Sequence, residues 1–137
     1  MNRFYLDTNI LYFILFDIDS LNRNVRNLME DYTSAFYASS LCVMELIQLI
    51  LTRRSFDNRL KGFDLFSTLD NYGIEIKHTT NGQLKTLFSM PVLHSDPIDR
   101  LIIAQAATDR IPLISSDNQF TQYTKHLQHF EFIHNRR

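Results

Sequence analysis

The chain has 137 residues, 45% of them hydrophobic and 21% charged, and a net charge of −1. These values are ordinary for a globular protein with one core and argue against a uniformly basic nucleic-acid binder, although a local basic patch can still act alone. Cys42 is the only cysteine, so no internal disulfide can form and a reducing, cytoplasmic setting is expected.

Arg3 to Leu6 reads as a short strand, and Thr8 or Asn9 as the cap of a helix to about Phe16. The apolar run Ile10 to Phe16 is too short to span a bilayer. Asp7 interrupts the start and no small-residue cleavage site follows, so no signal peptide is expected. A turn at Asp17–Ser20 precedes a second helix, marked by Leu21, Val25, Leu28 and Met29 and running to about Tyr32. Ala35–Ala38 is a brief strand, and Ser39 or Ser40 caps a strongly apolar helix to about Arg53. Another helix is expected from Ser55 through Leu69, broken by Gly73, before a strand at Ile74–Ile76. A short helix at Thr79–Phe88, a longer one at Pro97–Asp109, and strands at Leu113–Ser115 and Phe130–Ile133 complete the chain. Strands alternating with helices imply a mostly parallel sheet of four to five strands sandwiched by helices, in one domain over residues 1–137.

The acids at the element boundaries carry the chemical interest, and each has a structural explanation of its own. Asp7 precedes a helix, where a carboxylate satisfies free N–H groups and favours the helix dipole. Asp96-Pro97-Ile98-Asp99 is a good helix start, with Asp96 as cap and Pro97 in the first turn. Asp117 suits the cap of a short helical turn beginning at Asn118. Glu45 is harder to place structurally. It lies in Leu41–Leu51, apolar almost all round and so expected to be buried, with only Gln48 and Thr52 as polar company. An unpaired buried carboxylate costs several kcal/mol or turns neutral, so this stripe must face a cation, a polar cleft or solvent.

Taken jointly, the acids say more. Asp7 and Asp117 end two strands, and Asp99 lies in the first turn of the helix before the second of them. If these strands are neighbours in a doubly wound sheet, the three acids meet beyond its carboxyl edge, with Glu45 coming from a helix above. Carboxylates gathered so closely raise one another's pKa unless something positive sits among them. An all-oxygen set suits Mg²⁺ or Mn²⁺ rather than zinc. The implied chemistry is metal-assisted attack of water on a phosphodiester, with one or two ions.

Asp7-Thr8-Asn9, Glu45 in an early apolar helix, His94-Ser95-Asp96-Pro97-Ile98-Asp99-Arg100-Leu101-Ile102-Ile103-Ala104-Gln105-Ala106, and Ser115-Ser116-Asp117 together resemble the PIN-domain ribonucleases. Among these the chain looks most like VapC-type toxins of bacterial toxin–antitoxin pairs. The resemblance spans nearly the whole chain in order. It implies a metal-dependent endoribonuclease with Asp7, Glu45, Asp99 and Asp117 as both catalytic residues and metal ligands, and Asp96 as an extra acid of one subgroup. It also implies frequent homodimers and a small antitoxin docked on the helices beside the cleft, with no membrane association. A housekeeping RNase and a catalytically silent binding module are the alternatives within the same fold.

Thr8, Asn9 and Ser116 flank the acids, where they can orient a carboxylate or simply cap a helix. Arg53, Arg54 and Arg100 are candidate RNA contacts; Arg59 and Lys61 extend the first two into a basic cluster that equally suits a solvated surface. His94 is a weaker candidate for touching substrate, and the five histidines share no zinc-ligand spacing. A haloacid-dehalogenase-like phosphatase would want an acid at Asn9, and a response-regulator receiver an Asp after the third strand, where Lys77-His78-Thr79 stands.

Overall fold

Among the described residues, five short strands line up side by side, and every neighbouring pair runs parallel. They are β1 (Arg3–Leu6), β2 (Ala35–Ser39), β3 (Ile74–Lys77), β4 (Leu113–Ser115) and β5 (Phe132–His134), in the order β3-β2-β1-β4-β5. The computed structural model describes residues 2–136. β1 is central, and its Phe4, Tyr5 and Leu6 are all buried, as expected of a strand covered on both faces. Tyr5 lies opposite Tyr37 on one side and Leu113 on the other. The chain builds outward from β1 to β3, then returns to build β4 and β5 on the other flank. The strand order therefore reverses at the β1–β4 boundary, where open α/β sheets form their crevice.

Among the described residues, six α-helices cover the sheet: α1 (Thr8–Phe16), α2 (Arg23–Glu30), α3 (Ser40–Arg53), α4 (Leu65–Asn71), α5 (Asn81–Ser89) and α6 (Pro97–Asp109). Polar caps start them. Asn22 accepts from Val25 N, Ser39 from Leu41 N, Asp64 from Ser67 N, and Thr80 forms a reciprocal capping box with Gln83. α6 ends with Arg110 in the left-handed region (φ 55°), whose N–H closes onto the last carbonyls. One contiguous apolar cluster joins all the layers, from Phe4 and Leu11 through Leu46 to Ile103 and Phe120. No helix among the described residues is long and apolar enough to cross a membrane.

Several local expectations are corrected. α1 is capped by neither Thr8 nor Asn9: Asp7 caps it, accepting from Thr8 N at 2.8 Å. No helix starts at Ser55. Asp57 instead caps a short 3-10 turn (Asn58–Leu60), Gly62 adopts φ +69°, and Asp64 starts α4 afresh. Apolar spacing across this stretch hid two helix-start acids and a glycine that must turn the chain. α3 is not buried all round, because Met44 and Leu51 are exposed along its outer side. β5 begins two residues later than expected, with Phe130 packing in the preceding turn.

Candidate active site

Each acid reaches the crevice because a strand end or helix start carries it there. Asp7 follows β1, and its backbone N donates to Ile114 O at 3.0 Å, locking it against β4. Asp117 follows β4 and caps a 3-10 stretch (Asn118–Lys125), accepting from Gln119 N at 2.9 Å. Asp96 caps α6, accepting from Ile98 N at 2.8 Å and Asp99 N at 3.3 Å, which sets Asp99 in the first turn. Glu45 comes from α3 and accepts from the Thr8 hydroxyl at 2.7 Å. The resulting cavity, of about 370 Å³, is lined by Asp7, Thr8, Asn9, Glu45, Asp96, Asp99, Asp117 and Arg53, with Tyr12, Phe13 and Leu49 as apolar walls.

Asp7 is the deepest of the acids, 4% exposed. Its Oδ2 accepts from the Ser115 hydroxyl at 2.7 Å and Asn9 Nδ2 at 3.2 Å, while Cys42 Sγ approaches Oδ1 at 3.8 Å. Burial raises its pKa most; the Ser115 and Thr8 donors oppose that rise, and the charges of Glu45 and Asp117 add to it. Asp99 is pushed up to about 7, first by burial, then by the charges of Asp7 and Asp96, with His94 pulling the other way. Burial beside Asp7 likewise raises the Cys42 thiol, which stays an inert, packed group. Among the described residues, none of the four acids pairs with a Lys or Arg.

The neighbours divide by what they touch. Thr8 orients Glu45. Asn9 ties Asp7 to β4 by accepting from Ser116 N at 3.1 Å. The Ser116 hydroxyl turns away and accepts from Asn135 Nδ2 at 2.9 Å. Ser115 was not singled out in the sequence; its hydroxyl holds Asp7 and also accepts from Asp117 N at 3.1 Å. The available signal was a lone hydroxyl in an aliphatic strand, two residues before Asp117. Arg53 lies at the cavity edge, donating to the Tyr12 hydroxyl at 3.0 Å with its guanidinium 5.5 Å from that ring. Arg54 instead faces a separate apolar groove between α3 and α4, and Arg100 is half-buried outside the cavity. His94 Nε2 lies 3.1 Å from Asp117 and 3.4 Å from Asp99, giving these three residues ligand atoms within 4.8 Å of one another.

Fold and site thus define a doubly wound α/β protein with an uncompensated acidic cavity at its topological switch point. The chain belongs to the PIN-domain family, whose profile matches residues 4–126. No curated protein sequence matches it. Among solved structures, it is similar to VapBC2 from Rickettsia felis bound to a promoter DNA fragment, at 16% identity, TM-score 0.69, covering 96% of this chain and 98% of that one. VapBC-5 of the toxin–antitoxin family from Mycobacterium tuberculosis is similar at 16% identity and TM-score 0.69, covering 98% and 99%. DNA-bound VapBC from Salmonella typhimurium is similar at 16% identity and TM-score 0.66, covering 96% and 98%. At such identities these likenesses speak for the fold.

Proposed function

We propose that the chain is a metal-dependent endoribonuclease, the toxin of a toxin–antitoxin pair. One observation carries this reading: five carboxylates face one cavity, and among the described residues none of them pairs with a Lys or Arg. That oxygen-rich donor set fits a hard divalent cation, Mg²⁺ or Mn²⁺, with Asp7, Glu45, Asp99 and Asp117 to hold it. When bound, such an ion polarises a phosphoryl oxygen and lowers the pKa of water. The chain's own residues supply the positioning. Ser115, Asn9 and Thr8 fix the carboxylates, Asp96 orients the first turn of α6, and Arg53 is placed to meet a phosphate at the cavity rim.

The toxin assignment draws on the family and on the likeness to VapBC-5, a member of a family of toxin–antitoxin systems. It also draws on a separate apolar surface. Ile47, Leu51, Phe63 and Phe66 line an apolar groove between α3 and α4, where an amphipathic antitoxin segment can dock. A homodimer belongs to the same reading, and the exposed Leu84, Phe88 and Val92 on and after α5 are apolar surface for it. A cytoplasmic location belongs to the same reading.

The test has two arms. Purified protein is assayed on total RNA with Mg²⁺ or Mn²⁺ and with chelator, and the chain is expressed alone in a bacterial host. Metal-dependent cleavage, slowed growth, loss of both in Asp7→Ala, and rescue by the product of an adjacent small reading frame are expected. Cleavage without any growth effect of well-expressed protein would leave a housekeeping RNase. Absence of cleavage under all metal conditions would leave a binding module.

A further inference from the structure

We infer that His94 is a positioning residue for the acidic cavity: its imidazole, held at Nδ1 by Asp96 N, donates from Nε2 to Asp117 beside Asp99 rather than ligating the cation with them. This rests on the metal-nuclease reading for its purpose but not for its geometry.

His94 follows a loop that the protein grips firmly. The buried Tyr123 hydroxyl accepts from Leu93 N at 2.9 Å and His94 N at 3.1 Å and donates to Pro91 O at 3.1 Å. Phe120 packs its ring edge-on against the imidazole, with centroids 5.8 Å apart. The side chain is only 10% exposed. A backbone proton then selects the tautomer. Asp96 N lies 3.1 Å from His94 Nδ1, and an amide N–H can only donate, so Nδ1 must present its lone pair. The ring hydrogen is therefore on Nε2. It is directed to Asp117 Oδ2 at 3.1 Å, with Asp99 Oδ2 3.4 Å from the same nitrogen.

His94, Asp99 and Asp117 form a compact group whose ligand atoms suit a metal by distance alone. A histidine that ligates through Nε2 must carry its hydrogen on Nδ1, and here that hydrogen would meet the Asp96 N–H. The geometry points instead to a donor that holds Asp117, after the end of β4, close beside Asp99 at the start of α6. Residues of this kind affect metal affinity through the ligands they hold, typically by 10- to 100-fold.

Two substitutions divide the ring's functions. In His94→Gln the amide nitrogen reaches toward the Nε2 position, so the donor to the acids is kept. In His94→Asn the amide oxygen can still accept the Asp96 N–H, but its donor stops short of the carboxylates. Mn²⁺ binding to each full-length protein is measured by calorimetry, with melting curves to establish folding. Long-range ¹H–¹⁵N spectra of the metal-free wild type identify which ring nitrogen bears the hydrogen. The inference expects the Nε2–H form, Mn²⁺ affinity within about threefold of wild type in His94→Gln, and a loss of roughly tenfold in His94→Asn with the fold intact. An Nδ1–H ring overturns it, as does wild-type affinity in His94→Asn, which would leave only a loop cap. Equal loss in folded His94→Gln and His94→Asn overturns it in favour of ligation. If the wild type binds no Mn²⁺ at all, the metal-nuclease reading falls, and the ring spectrum alone decides the tautomer and donor assignment.

Discussion

Asp99→Asn should make the metal-free protein more stable while removing its activity. The carboxyl of Asp99 is raised from 3.8 to about 7. Between those values the folded state keeps a proton that the unfolded chain has released, so stability falls as pH rises. The penalty is absent below about pH 4, grows through the window to pH 7 and is complete above it. At full weight it is about 4 kcal/mol at pH 8. The Asp99 side chain is 19% exposed and its carboxylate is partly solvated, so about half of that is retained. Loss of a carboxylate from the first turn of α6 opposes the gain by about 0.3–1 kcal/mol. The net expectation is a stabilisation of about 1–2 kcal/mol at pH 8, which raises the melting temperature by roughly 5 °C. Circular-dichroism melts in chelator at pH 8 and pH 4 test this, because the advantage of the variant should disappear at the lower pH. An equal gain at both values, or destabilisation at pH 8, would refute the reasoning that repulsion and burial strain this site.

The remaining expectations concern the same cavity. Mn²⁺ at about 100 times its dissociation constant should stabilise the wild type by about 2.7 kcal/mol, and chelator should reverse the shift in a melting assay. Asp96→Asn keeps a good cap and should change stability by only a few tenths of a kcal/mol, whereas Asp96→Ala should cost about 1 kcal/mol in denaturant melts. If Asp96 acts only as a cap, Asp96→Asn should also keep most of the RNA cleavage that Asp99→Asn loses. Arg53→Ala should raise KM for RNA and flatten its salt dependence while leaving kcat nearly unchanged, as read by steady-state cleavage at two ionic strengths.

Most of the fold was legible because its signals were local. Arg3–Leu6 and Leu113–Ser115 are short apolar runs bounded by polar residues, and both became strands at the stated positions. Asp96-Pro97 announced α6 through cap chemistry that needs no tertiary context. The Ser55–Leu69 stretch failed for the opposite reason: periodic apolar residues are compatible with a helix, but Asp57, Gly62 and Asp64 interrupt it. The acids could be named individually, yet their meeting depended on β1 and β4 being neighbours, which no local pattern specifies. The supporting residues were hidden more deeply. Ser115 touches Asp7 across the β1–β4 boundary, and Tyr123 grips the His94 loop from 29 residues away.

The way Asp7 is satisfied explains why the cavity keeps its charge. Thr8 N, the Ser115 hydroxyl and Asn9 Nδ2 all donate to it, and each is neutral. Neutral donors fix a carboxylate's direction but do not offset neighbouring negative charge, so Asp7 still feels Glu45 and Asp117. A lysine at any of these positions would stabilise the empty protein more and leave less potential for a cation. Arg53, the arginine in the cavity lining, is drawn onto the Tyr12 ring and hydroxyl at the rim. Asp7 is thus pinned as a helix cap, while its charge remains uncompensated at the point where the strand order reverses. Local stability is given up at the cavity and recovered in the surrounding core of Leu6, Ile10, Leu46 and Ile114, all 0–1% exposed.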